Sequence, residues 1–149
     1  LQRALGPADC GVVGKFISPE RGPSPAGPVT ITLTYDTCGV ARSKLVIHDP
    51  MPAGMRYVAG SARYNGIALT DAVAGNDRQG TGTQVAWDFG VTQANAATAT
   101  FFDLPANTRG EVTFQVSIDA GLPVGSVVEN VADYAIRGSD RTAVSRFTC

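Results

Sequence analysis

Apolar and polar residues alternate with a period of two along most of this chain, and the helical period is almost absent. From Val29 to Tyr35 the apolar side chains fall on odd positions, with Thr30, Thr32 and Thr34 between them. From Glu111 to Asp119 they fall on even positions: Val112, Phe114, Val116 and Ile118. A pleated strand sends successive side chains to opposite faces, so each run predicts a strand with one buried and one wetted face. Weaker runs predict further strands over Cys10–Ile17, Ser43–Asp49, Met55–Tyr64, Ile67–Leu69, Gln84–Phe89, Ser126–Ile136 and the tail Arg141–Cys149. Ala94–Phe102 is ambiguous. Its alanines suit a helix, whereas Thr98, Thr100, Phe101 and Phe102 favour extended chain. The breaks between runs are turn chemistry. Asn65-Gly66 is a strong hairpin signal, the Pro- and Gly-rich stretch Ser18–Pro28 predicts an exposed connection outside any ladder, and Thr70–Gly82 is polar and glycine-rich, as a loop is. Short strands at this spacing predict an all-β fold, an antiparallel β-sandwich.

Composition narrows the function classes. The 149 residues suffice for one domain with a real core. A 44% hydrophobic and 17% charged chain is not a disordered tail. A formal net charge of -1 gives no electrostatic case for nucleic acid or an acidic membrane, and no apolar run is long enough for a membrane-spanning helix. Three widely spaced cysteines, Cys10, Cys38 and Cys149, with a single histidine argue against a zinc site. Their placement permits one internal bridge plus a leftover thiol, or bridges to neighbouring chains from Cys10 and Cys149. The start at Leu1 fits either a processed mature protein or a trimmed piece, and both agree with export.

Strand parity marks one polar constellation. Lys15 shares parity with Val13 and Ile17, Asp49 with Leu45 and Ile47, and Asn130 with Val128, Ala132 and Tyr134. If those apolar residues face inward, an amine, a carboxyl and a carboxamide enter the core together, where each needs a partner. An amine pushed towards its neutral form could attack the carboxamide, with the acid polarising it, leaving an isopeptide bond between Lys15 and Asn130. Two rival parities remain open: Val12 and Phe16 facing inward on the first strand, and Val127, Val131 and Ala135 on the last. Asp49 and Asn130 would then do no more than serve local turns and backbone groups.

Other chemistry is thin. His48 and Asp49 are adjacent, so on a strand they face opposite ways and cannot form a Ser-His-Asp relay. No motif of a hydrolase nucleophile, zinc protease or phosphate loop occurs. Asp71, Asn76 and Asp77 could offer oxygens to calcium, but their spacing matches no known loop, and a solvated turn uses the same residues. Trp87 suits a sandwich core better than a sugar platform. The chain therefore reads as a non-enzyme with no catalytic residue, cofactor or metal.

Taken in order, the motifs resemble a known family. They are Val13-Gly-Lys15, the Thr-alternating strand Val29–Tyr35, the stretch Val46–Ser61 (VIHDPMPAGMRYVAGS), Val85-Ala-Trp-Asp-Phe-Gly90, Gly110–Asp119 and Val128-Glu-Asn-Val-Ala132. The series resembles the repeat of bacterial and archaeal surface proteins called domain of unknown function eleven, or the conserved repeat domain, whose signature is D-x-L-P-x-G-hydrophobic-x-Y-V-x-G-S. It departs at Asp36-Thr-Cys-Gly39 and near Thr70–Gly82, and the two ends have no counterpart. The resemblance implies an immunoglobulin-like antiparallel β-sandwich of about seven to nine strands with Greek-key connections, in exported surface, adhesin-like or matrix proteins.

These readings divide the chain into an N-terminal extension over 1–10 that could reach a neighbouring subunit, a sandwich over 11–137, and a strand-like tail over 138–149. They lead to a secreted, non-catalytic structural subunit of a bacterial surface assembly. Its expected partners are copies of itself or neighbouring domains, joined by strand addition or terminal disulfides. The alternative is an adhesive module for a glycan or protein ligand.

Overall fold

The structure is a computed structural model that describes residues 12–72, 85–136 and 139–149. It contains two antiparallel sheets and, among the described residues, no helix. Eleven strands run β1 Val13–Ser18, β2 Ala26–Asp36, β3 Arg42–Pro50, β4 Met55–Tyr57, β5 Arg63–Tyr64, β6 Ile67–Ala68, β7 Val85–Phe89, β8 Ala96–Leu104, β9 Arg109–Ile118, β10 Val127–Ile136 and β11 Ser139–Thr148. One sheet has the order β1-β2-β9-β5-β6, with β4 also on β9; the other has the order β11-β10-β3-β8-β7. Neighbours in each sheet are mostly distant in sequence, and the two sheets close as an immunoglobulin-like sandwich.

The alternation read from the sequence decides which side chains close it. Val29, Ile31, Leu33 and Tyr35 of β2 and Val112, Phe114, Val116 and Ile118 of β9 point inward and meet Leu45, Ile47, Trp87 and Phe101 of the opposite sheet. Aromatic rings fill the middle. Phe114 lies 5.6 Å from Trp87 and 5.8 Å from Tyr57 between ring centroids, and Tyr57 stacks on Phe89 at 4.2 Å. The ambiguous alanine-rich run is β8. Both of its neighbours are strands, and its backbone pairs with β3 on one side and with β7 on the other, so the ladder overrides the helical preference of its alanines.

Two expectations need correction and one open question is answered. The Pro- and Gly-rich segment is not wholly outside the ladder. Ala26 pairs with Ile118, a bulge carries the chain past Gly27 and Pro28, and Arg21 bridges Thr148; a bulge is where a strand tolerates a residue with no N–H to donate. Met55–Tyr64 is two short strands, because the chain turns at Val58–Ser61, with Gly60 at φ 76° and the Ser61 N–H donating to Val58. The strand-like tail is β11, and it pairs with β10 of its own chain from Ile136↔Ser139 to Val127↔Thr148. The hairpin signal is borne out, with Asn65 and Gly66 at φ 47° and 86° between β5 and β6, the geometry of a type I′ turn.

Gly110 is where the sheet leaves no room. A Cβ there would lie 2.5 Å from ring atoms of Tyr35. That ring is held by Phe101 at 4.8 Å and by a 2.7 Å hydrogen bond between the Tyr35 and Tyr64 hydroxyls. Gly110→Ala should therefore lower stability by about 1–3 kcal/mol in urea unfolding. Gly39→Ala, where nothing lies within 4 Å of the added carbon, should change it by less than about 0.5 kcal/mol.

Candidate functional site

Strands from both sheets contribute to one buried polar cluster. On β1, Val13, Lys15 and Ile17 face inward and Phe16 faces out. On β3, Leu45, Ile47 and Asp49 face inward, and on β10, Val128, Asn130, Ala132 and Tyr134 do. The rival parities are thereby excluded, and Lys15, Asp49 and Asn130 converge between the sheets. Lys15 and Asp49 form an ion pair whose side chains are 0% exposed, with Lys15 Nζ donating to Asp49 Oδ2. Asn130 Nδ2 donates to the other carboxylate oxygen, Asp49 Oδ1, at 2.7 Å, and to the Pro50 carbonyl at 3.0 Å. Asp49 thus stands between the amine and the carboxamide nitrogen. It does not touch the Asn130 carbonyl oxygen, the atom that polarisation by an acid would require. Asn130 Oδ1 is buried and has no hydrogen-bond partner.

Burial shifts both ionisable groups towards their neutral forms. Burial lowers the Lys15 ammonium from its ordinary value of 10.5, against the opposing pull of Asp49. Burial likewise raises the Asp49 carboxyl from 3.8, against Lys15 and the Asn130 hydrogen bond. Desolvation is the larger influence on both groups. A proton passed from Nζ to Oδ2 would leave a neutral amine beside a carboxylic acid, the pair needed for attack on an amide.

The remaining candidates fall elsewhere. Cys38 is disulfide-bonded and Cys149 is a free, half-buried thiol; Cys10 lies outside the described residues. His48 is on the outer face of β3, with Nδ1 3.2 Å from Thr98 Oγ1, while Asp49 points inward. Asn76 and Asp77 also lie outside the described residues, and among those described no cluster of metal-ligating side chains occurs.

Asp71 has a role that sequence reasoning missed. Its Oδ1 accepts from the Tyr57 hydroxyl at 2.7 Å and from Trp87 Nε1 at 3.0 Å, and its Oδ2 accepts from the Gly60 N–H at 2.7 Å. It anchors two core aromatics and the turn between β4 and β5, and burial followed by this contact raises the Tyr57 phenol. The only signal in the sequence was that a core Trp needs an acceptor, which does not say where the acceptor lies.

No family model matches the chain, and no curated protein matches it. Solved structures do. The major pilin subunit BcpA of Bacillus cereus superposes with a TM-score of 0.61 at 12% identity, over 91% of this chain and 39% of that one. The N-terminal domain of the Streptococcus gordonii adhesin Sgo0707 gives 0.63 at 10% identity, over 93% and 32%. The collagen-binding subdomain ACE19 of an Enterococcus faecalis surface protein gives 0.59 at 13% identity, over 93% and 97%. The chain thus spans about two fifths and one third of the first two proteins. At these identities the likeness shows the fold, an immunoglobulin-like sandwich shared with pilin and adhesin domains. Among the described residues, no helix is long and apolar enough to cross a membrane.

Asp71→Ala should lower stability by about 1–3 kcal/mol, since it removes the carboxylate that ties Tyr57, Trp87 and the Gly60 turn together. Urea unfolding followed by Trp87 fluorescence reads this directly, and Asp71→Asn, which keeps one acceptor, should lose less.

Proposed function

We propose that this chain is a non-catalytic structural module of a bacterial surface assembly, tied internally by an isopeptide bond between Lys15 and Asn130 that Asp49 promotes. The observation that carries the proposal is the fully buried Lys15–Asp49–Asn130 cluster, which spans both sheets. An ion pair removed from water contributes little net stability, whereas a covalent tie made from it contributes much. The surface setting is supported by the pilin and adhesin neighbours and by the resemblance to the conserved repeat domain.

The chemistry balances. Lys15 Nζ passes a proton to Asp49 Oδ2 and attacks Asn130 Cγ as a neutral amine. In the tetrahedral adduct, the carboxyl turns so that the proton on Oδ2 reaches Nδ2, and the Cγ–Nδ2 bond breaks as the carbonyl re-forms. Ammonia leaves, and Asp49 takes the surplus proton from Nζ. The products are a secondary amide, ammonia and a protonated Asp49.

Association with other copies is assigned to Cys149. The tail is already paired in its own sheet, and Cys38 is bonded, with Cys10 as its proposed partner. A single free thiol joins two chains and no more, so non-reducing electrophoresis should show a dimer without a ladder, and Cys149→Ser should abolish it.

An adhesive reading has one observation of its own. On the outer face of the first sheet, a groove of about 590 Å³ is lined by Phe16, Thr34, Asn65, Arg109 and Glu111, and ACE19 is named for collagen binding. Saturable binding to immobilised collagen, lost in Phe16→Ala, would favour it over the purely structural role.

Intact mass of the reduced, denatured chain should fall short of the sequence by one ammonia, about 17 Da. Lys15→Met, Asn130→Ala and Asp49→Ala should each restore the full mass. Cross-linking across so long a loop restricts the unfolded chain by about 4–5 kcal/mol, so Lys15→Met should melt on the order of 10–20 °C lower. An unshifted mass for the unaltered protein would reject the tie. The rate of bond formation should be bell-shaped in pH, because the cluster needs one proton shared between Asp49 and Lys15. Acid adds a second proton and keeps the amine cationic, so the rate falls below a flank lying above 3.8. Alkali removes the last proton and leaves no acid for the leaving nitrogen, so it falls above a flank lying below 10.5.

A further inference from the structure

The tie leaves one step unserved. As Lys15 attacks, negative charge gathers on Asn130 Oδ1, and Asp49 is engaged with Nζ and Nδ2 on the other side. An oxyanion forming in a dry pocket needs a donor aimed at it. Asn130 Oδ1 is buried with no hydrogen-bond partner, and Ser145 Oγ on β11 is buried with none either. The two residues are direct register partners in the β10–β11 ladder, Asn130↔Ser145. Cross-strand partners on one face hold their Cβ atoms about 5 Å apart, so side chains this short are within reach of each other by rotation about χ1.

Two adjacent buried polar atoms without partners are costly in a resting protein. Here one is an acceptor that becomes charged in the reaction and the other is a hydroxyl that can turn. Both neighbours of Ser145 on the inner face of β11 are apolar: Ala143 and Phe147 pack against the core. Water is thus kept from a site that would otherwise solvate the oxyanion and also hydrolyse the adduct. β1 lies against β11, so Lys15 approaches from the strand that faces Ser145.

We propose that Ser145 is a catalytic residue of the bond-forming reaction: its hydroxyl donates to Asn130 Oδ1 as the tetrahedral adduct forms, and then to the carbonyl oxygen of the finished amide. The proposal rests on the Lys15–Asn130 tie described above and assigns β11 a chemical role in it. β11 therefore has to be docked before the tie closes, which makes the cross-link report a completed fold.

The test is a short pulse of cell-free synthesis followed by a chase, with intact mass read at intervals. The unaltered chain should lose ammonia fastest, Ser145→Ala at least about tenfold more slowly, and Ser145→Thr, which keeps a hydroxyl, at a rate closer to the original. Folding is controlled separately. In a Lys15→Met background, where no tie can form, adding Ser145→Ala should leave the urea midpoint of unfolding where it was. Equal rates of ammonia loss in the unaltered and Ser145→Ala chains would overturn the role of Ser145 and leave the tie standing. Failure of the unaltered chain to lose ammonia at all would overturn both. Slow loss in Ser145→Ala together with a lowered urea midpoint in the Lys15→Met background would assign the effect to folding and reject the oxyanion role.

Discussion

A pleated strand cannot choose faces one residue at a time. Once Val13 and Ile17 turn inward to help close the sandwich, Lys15 must turn inward with them; Leu45 and Ile47 bring Asp49, and Val128 and Ala132 bring Asn130. Hydrophobic closure of the two sheets is thus what forces an amine, a carboxyl and a carboxamide into the same dry space. The apolar majority supplies the free energy, and the three polar groups are carried along. Having lost water, they satisfy one another.

The same confinement underlies the reactivity proposed for the cluster. In water, Lys15 would be a protonated bystander and Asp49 a carboxylate. Inside the sandwich, the penalty on charge acts on both at once, and a single proton can be shared between two oxygens of Asp49 that face different partners, the attacking nitrogen at Oδ2 and the departing one at Oδ1. One carboxyl could then serve as base and acid in turn: the register of β3 against β10 sets Asp49 beside Asn130, and closure of the two sheets brings Lys15 to its other oxygen. Among the described residues, the wetted surface has no comparable arrangement. His48 faces out beside Thr98, while the polar residues on the outer faces of β2 and β9 are mainly threonines and glutamine.

Most of the sandwich was legible because its signal is local. Val29–Tyr35 and Glu111–Asp119 alternate without a break, and the Asn65-Gly66 turn needs only two residues to declare itself. Parity was enough to propose the Lys15, Asp49 and Asn130 set, though it could not choose between two faces of β1 or of β10. That choice depends on which apolar set finds a partner across the sandwich, which is a non-local property. Asp71 was illegible for the same reason: Tyr57, Gly60 and Trp87 reach it only after three separate segments have met. The break in Met55–Tyr64 escaped because the run remains apolar enough to read as one strand, while the chain's need to turn at Gly60 is set by its pairing with β9. Which carboxamide atom Asp49 meets is finer still. It depends on the Pro50 carbonyl taking the second N–H of Asn130, and no pattern of residue types encodes that.

The position of the tie in the topology bears on why a sandwich would carry it. Lys15 sits on the first strand of one sheet and Asn130 on the penultimate strand of the other. In an uncross-linked sandwich, a pull on the two ends would fall on the ladders that hold β1 to β2 and β11 to β10. With Cγ of Asn130 bonded to Nζ of Lys15, force entering through β1 passes straight across to β10, and every residue between 15 and 130 lies in a closed loop that carries no tension. On the C-terminal side, β11 remains outside that loop. It is held by a full antiparallel ladder, with Phe147 sunk in the core and Gly22 and Glu20 bonded to Thr148 at its end. A strand so firmly docked beside Asn130 does more than complete the sheet: it would seal the side on which water could reach the proposed bond.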